Sequence, residues 1–185
     1  MKPPTGLVLA SVIAATQVAV AETSCPSPET MKPLAGEQTF TQTRTLSGLD
    51  RPLVSTGTVT ISDDEVIWLV TDPVDIATRI TESGIYQSVA GGDETPLHAG
   101  GGGNPFLTET GLLSIMRGDL EGAKDHYDRA SSDMSESGWD LVFIPKSEAL
   151  SSHLKTITLN GCTALELITI HQSNGDVVSV AFGDE

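Results

Sequence analysis

The chain has 185 residues, with 25 acidic and 10 basic side chains, a formal charge of −15 and a hydrophobic share of 38%. That field repels phosphate backbones and anionic headgroups, which excludes nucleic acid as a partner and excludes a polybasic membrane-surface site. The hydrophobic residues fall in regular alternating runs, so the composition describes one folded domain rather than a disordered acidic chain.

Met1-Lys2 opens the sequence with a positive charge, residues 7–20 are mostly apolar, and Ala19-Val20-Ala21 follows. A charged start, an apolar middle and a small-x-small end make a cleaved export signal over residues 1–21, with a mature chain from Glu22. The apolar run is shorter than the roughly 20 residues a bilayer needs, and Thr16-Gln17 interrupt it, so no stable membrane insertion is expected. Lipid anchoring through Cys25 is the other reading, but Glu22-Thr23-Ser24 is too polar for a Leu-rich lipidation motif. Loss of residues 1–21 removes Lys2 and no acid, leaving a charge one unit more negative than −15. Cys25 and Cys162 are the two cysteines. In an oxidising compartment such a pair is expected to bridge, pinning the N-terminus to a late strand; two free thiols are the alternative.

After a Pro-rich leader, residues 38–46 alternate, with Thr39, Thr41, Thr43 and Thr45 on one face and Phe40, Gln42 and Arg44 on the other. Residues 47–52 are a turn. Residues 54–61 alternate again, with Val59 and Ile61 opposite Thr58 and Thr60. Short strands are expected at 66–70, 76–80 and 85–89, separated by turns at 62–65, Asp72-Pro73 and Ser83-Gly84. This spacing predicts an antiparallel meander. Gly91-Gly92 and the glycine run at 100–103 bracket an expected mobile loop. Residues 106–116 change period and predict an apolar helix face, which Gly111 weakens, and 120–130 predict a second, weaker helical turn. Strands return at 139–145, 156–159, 163–171 and 177–182. Asn160-Gly161 and Asn174-Gly175 predict type I′ hairpin turns between them. Strands, a helical insert and strands again define a mainly β, antiparallel architecture.

No phosphate loop, dinucleotide fingerprint or nucleophile elbow occurs, so no cofactor is expected. The four histidines have no metal-ligand spacing. The acidic cluster Asp119, Glu121, Asp125, His126 and Asp128 lacks the glycine and glutamate of a calcium loop and reads as a solvated surface, so no metal is expected. No catalytic constellation stands out, and none is assigned.

Several short motifs recur in one order. Phe40-Thr41-Gln42 begins a strand, Gly57 opens the next, Val66-Ile67-Trp68 follows with Pro73 a few residues on, and Ser83-Gly84-Ile85-Tyr86 makes a hairpin. Gly103-Asn104-Pro105-Phe106-Leu107 leads into helices, Val142-Phe143-Ile144-Pro145-Lys146 ends a strand, and Asn174-Gly175-Asp176 with Val180-Ala181-Phe182 closes the chain. Over residues 38–182 this order resembles the periplasmic outer-membrane lipoprotein carriers of the LolA family, and more closely its divergent LolA-like branch. The resemblance implies an unclosed antiparallel β-barrel, or half-barrel, with a helical lid over an apolar cavity that carries acyl chains. It also implies a periplasmic location, an inner-membrane lipid exporter that loads the carrier and an outer-membrane acceptor that receives the cargo. One departure stands out. The family places Arg-Pro just before the Trp strand, and here that stretch is Ser62-Asp63-Asp64-Glu65. The expected cargo is therefore an acylated lipoprotein or another envelope lipid.

A carrier hides acyl chains at about 0.8 kcal/mol per buried CH2 and must still release them. The residues expected to line its cavity are Phe40, Val66, Trp68 and Val70 on the early strands. Phe106, Leu112, Leu113 and Met116 are expected on the lid, with the glycine run as its hinge, and Trp139, Leu141 and Phe143 on a late strand. A plain packed core under a helix is the alternative for each. Arg44, Arg51 and Arg79 are candidates for an anionic headgroup, against surface ion pairing with the abundant carboxylates. Two other functions fit the same sequence. One is a non-catalytic exported β-domain acting as a structural or protein-interaction module. The other is an envelope enzyme acting on an acylated substrate through residues such as Asp63, Asp64 and His153.

Overall fold

The computed structural model describes residues 25–34, 36–62, 64–81, 84–97 and 112–183. The expected export signal, Phe106 and the glycine run at 100–103 lie outside the described residues.

Eleven strands form one antiparallel sheet. β1 (Gly36–Thr45), β2 (Leu53–Ile61), β3 (Glu65–Asp72), β4 (Ile76–Thr81), β5 (Gly84–Val89) and β6 (Thr95–Leu97) make a first meander. A second meander runs through β7 (Tyr127–Ser135), β8 (Gly138–Pro145), β9 (Leu154–Gly161), β10 (Leu165–Gln172) and β11 (Val177–Phe182). The two meet where β11 pairs with β1, giving the order β6-β5-β4-β3-β2-β1-β11-β10-β9-β8-β7. β6 and β7 are left as edges, so the barrel is unclosed, as the resemblance implied.

Period-2 alternation sets which face turns inward. Phe40 of β1 sits opposite Gly57 of β2 and Phe182 of β11, and Val66, Trp68 and Val70 of β3 point the same way. A one-residue slip would turn all of them outward, which fixes the register. The inner face carries one continuous apolar core that includes Val59, Trp68, Trp139, Phe143, Ile168 and Val180. Two short helices join it: α1 (Leu112–Met116) through Ile115 and Met116, and α2 (Leu120–Ala123) through Leu120 and Ala123. A third, α3 (Glu148–Ser151), follows β8, its first turn capped by the Ser147 hydroxyl accepting from the Leu150 amide at 3.2 Å.

The leader is part of the fold. Cys25 and Cys162 form a disulfide across a sequence separation of 137 residues. Beyond it the Lys32 amide donates to the Thr163 carbonyl at 2.9 Å and the Leu34 amide to the Met116 carbonyl at 3.1 Å. Met31 and Leu34 are buried in the same core as the strands and helices. The segment therefore ties the β9–β10 turn to α1.

Four expectations are corrected. Residues 120–130 are not one helical stretch, because α2 ends at Ala123 and β7 begins at Tyr127. β7 is an edge strand, exposed from Ala130 to Ser135, so apolar alternation could not mark it. Asn160-Gly161 is not a turn but the end of β9. Gly161 is required there because a Cβ would meet the Ala164 carbonyl oxygen at 2.2 Å and the Trp139 ring at 2.7 Å. At Asn174-Gly175 only the glycine has positive φ, at 91°, and the Gly175 amide donates to the Gln172 carbonyl, so the turn is not type I′. Among the described residues, two consecutive positive φ values occur at Ala90-Gly91, at 51° and 71°, in the turn that feeds β6. The run after Val89 therefore turns into a strand, where an unstructured loop was expected.

Candidate functional site

Among the described residues, the inner face is closed by core packing at one end and hollowed at the other. Between the turns that join β1 to β2 and β3 to β4 lies a cavity of about 470 Å³. Trp68, Val70 and Ile76 supply its apolar floor, and Gln42, Ser55, Thr78 and Gln87 its polar groups. Leu53, Val54, Pro73 and Val74 also line it and are exposed, so they form its rim. Leu53, Val54 and Val74 are 47–52% exposed, among the few large apolar side chains the described residues present to water. Scattered exposed leucines need no explanation, but a group placed around the mouth of an apolar cavity does.

The polar groups are held in place. Thr78 is 2% and Gln42 5% exposed. The Gln87 amide donates to the Thr78 hydroxyl at 3.1 Å, and the Gln42 amide lies 3.5 Å from the Ser55 hydroxyl. Trp68 is fixed from one side by Phe40, whose ring centroid lies 4.1 Å away, and from another by the edge-on ring of Phe182 at 6.5 Å. The tryptophan is thus a rigid floor shared by core and cavity.

Of the expected cavity residues, Trp68 and Val70 line this space. Phe40, Val66 and Met116 are buried in the adjoining core. Trp139, Leu141 and Phe143 are at most 1% exposed and belong to the closed core. There the Trp139 indole donates to the Cys162 carbonyl at 2.7 Å. Leu112 and Leu113 begin α1, where only the backbone is described, and Phe106 lies outside the described residues. Sequence reading missed Gln42, Ser55, Thr78 and Gln87 as cavity residues. The signal was a polar residue on the apolar side of an alternating strand, such as Gln42 between Phe40 and Arg44 or Thr78 between Ile76 and Ile80.

The three arginines separate. Arg79 pairs with Glu94 through two hydrogen bonds, from Nε at 2.9 Å and from Nη2 at 2.5 Å, and lies over the Tyr86 ring. That pairing raises the guanidinium pKa and lowers that of Glu94, each mainly through the shared hydrogen bonds. Arg51 is exposed in the β1–β2 turn. Arg44 alone of the three lines the cavity.

Metal and catalytic groups are accounted for differently. Among the described residues no group of three or more His, Cys, Asp or Glu side chains is placed to hold a metal ion. Within the acidic cluster, Asp119 caps α2 by accepting from the Gly122 amide at 2.8 Å, Glu121 pairs with Lys124 and Asp128 with Lys146. Asp64 and His153 are exposed, and neither lines the cavity; Asp63 lies outside the described residues. No helix among the described residues is long and apolar enough to cross a membrane.

No family model matches the chain, and no curated protein matches it in sequence. Among solved structures, it is similar to a LolA superfamily protein from Nitrosomonas europaea, at a TM-score of 0.43 and 8% identity over 85% of this chain and 88% of that one. It is also similar to a DUF1329 family protein from Desulfovibrio piger, at 0.39 and 7% over 80% and 83%. A domain from Vibrio parahaemolyticus, named for outer membrane lipoprotein sorting, matches at 0.40 and 10% over 80% and 84%. At these TM-scores the overlap is partial, and the functional case rests on the cavity itself.

Proposed function

We propose that this protein is a non-catalytic periplasmic carrier that shields the acyl part of a lipoprotein or other envelope lipid during transfer toward the outer membrane. The observation that carries this reading is the cavity of about 470 Å³ at the open end of the sheet. Such a volume falls within the ~300–1,000 Å³ of small-molecule sites, which are mostly apolar with a few fixed polar groups. A trapped chain gains about 0.8 kcal/mol per buried CH2, while the open mouth leaves a path out. The motif order over residues 38–182 supports the same reading, as does the export pattern of residues 1–21, which would deliver the chain to the compartment where such cargo moves. An inner-membrane exporter and an outer-membrane acceptor are the partners that this reading calls for.

Native mass spectrometry of protein isolated from the periplasm of its own host tests the proposal. A copurifying hydrophobic mass is the expected result. A clean apo mass, followed by no enhancement of a hydrophobic dye and no displacement by acylated ligands, overturns it in favour of an interaction module with a dry core.

A further inference from the structure

We infer that the ligand of this cavity is a single-chain anionic amphiphile, with one acyl chain on the Trp68 floor and its charged end held by Arg44. The inference rests on the carrier reading and narrows it to one class of cargo.

Charge is the first argument. The chain carries 25 acidic residues, yet Arg44, Arg51 and Arg117 form no ion pair among the described residues, and of these only Arg44 is half-buried, the other two being exposed. Arg79, Lys124, Arg129 and Lys146 each have a carboxylate partner. Arg129 and Arg44 both bury an Nε that has no hydrogen-bond partner among the described residues. Arg129 nevertheless binds Glu29 through its other end at 2.6 Å. Arg44 has no ion pair among the described residues, and it lines the cavity. Removing part of a guanidinium from water without a partner is unfavourable, and an anion arriving in the cavity reverses that. A planar guanidinium suits a carboxylate or a phosphate, because its parallel N–H groups can engage two oxygens at once.

Size and layout are the second argument. A cavity of about 470 Å³ lies in the lower half of the range for small-molecule sites, a size that suits one acyl chain. Arg44 stands two residues beyond Gln42 on the inward side of β1, toward the exposed β1–β2 turn. Apolar floor and cationic end are therefore arranged along one strand, as the two ends of an amphiphile are.

The test is displacement of a hydrophobic dye from the purified protein by ligands of one chain length. The probes are a fatty acid, the matching fatty alcohol, the matching lysophosphatidic acid and a triacylated lipopeptide. The fatty acid or the lysophosphatidic acid should bind at least tenfold tighter than the alcohol, and whichever is tighter identifies the head as carboxylate or phosphate. Arg44→Gln, with a folded state verified by its unfolding midpoint, should erase that preference. Arg44→Lys should retain part of it. Equal affinity for acid and alcohol, a preference that survives Arg44→Gln, or tighter binding of the lipopeptide than of every single-chain ligand overturns this inference and leaves the carrier standing. Absence of binding by all four, and by the dye, overturns both.

Discussion

Glu29 shows how one side chain secures the leader. Its carboxylate accepts from the Ser27 hydroxyl and from Arg129 at 2.6 Å, and these hydrogen bonds, the serine's first, lower its pKa to about 2. The group is lowered on folding, so its stabilisation is complete above the unfolded pKa of roughly 4.3 and is lost as pH falls through about 2. Glu29→Gln should therefore be less stable than wild type at pH 7 by a small, solvent-screened amount, and the gap should close between pH 4 and pH 2 in urea titrations. Gly57 acts by absence. A Cβ there would meet the Leu69 carbonyl oxygen at 1.9 Å, at the point where the β2–β3 register shifts. Gly57→Ala should cost about 3 kcal/mol, read as a lowered denaturation midpoint. The alternation over residues 54–61 places this glycine inside a strand, but the register shift opposite, which makes it necessary, shows in no local pattern.

Elements with alternating apolar residues were legible, and those without them were not. β11 occupies the span read from the sequence, and β1 to β5 lie within two residues of theirs, because Phe40, Val59, Trp68 and Ile80 recur at period 2 between turn residues. β7 escaped because a solvent-facing edge strand has no apolar stripe, and β6 because it is three residues long and contains Pro96. Asn160-Gly161 misled because glycine serves two ends: a turn needs its positive φ, whereas β9 needs room for the Trp139 ring. The disulfide was legible as a pair but its setting was not. It holds the leader beside the β9–β10 turn, where Met31 and Leu34 then enter the core. In the chain-entropy model a loop of this length contributes about 5 kcal/mol. The paired substitution Cys25→Ser with Cys162→Ser should lower unfolding free energy by up to that amount in guanidinium titrations. Reductant should have the same effect on the wild type and none on the variant.

At the scale of the molecule, one face of one sheet carries two environments. Over β7–β11 it is closed, with Trp139, Leu141, Phe143 and Ile157 fully covered, and over β1–β5 it opens into the cavity. Both halves show the same alternation, so the sequence placed Trp68 and Trp139 in one wall. Only the three-dimensional arrangement of arm, helices and turns separates them. The separation makes opposite demands of the two strands. Val70 is buried at the cavity floor, so Val70→Phe should fill that space and lower dye and fatty-acid affinity at least tenfold, at a stability cost of about 1–3 kcal/mol. Trp139→Phe removes the indole donor to the Cys162 carbonyl and leaves a gap in the closed core, which should cost roughly 2–3 kcal/mol while binding stays within twofold. Measuring unfolding and binding on both variants checks the pair together. If Trp139→Phe weakens binding as much as Val70→Phe does, the ligand reaches across β8, and the boundary between core and cavity drawn at Trp68 is wrong.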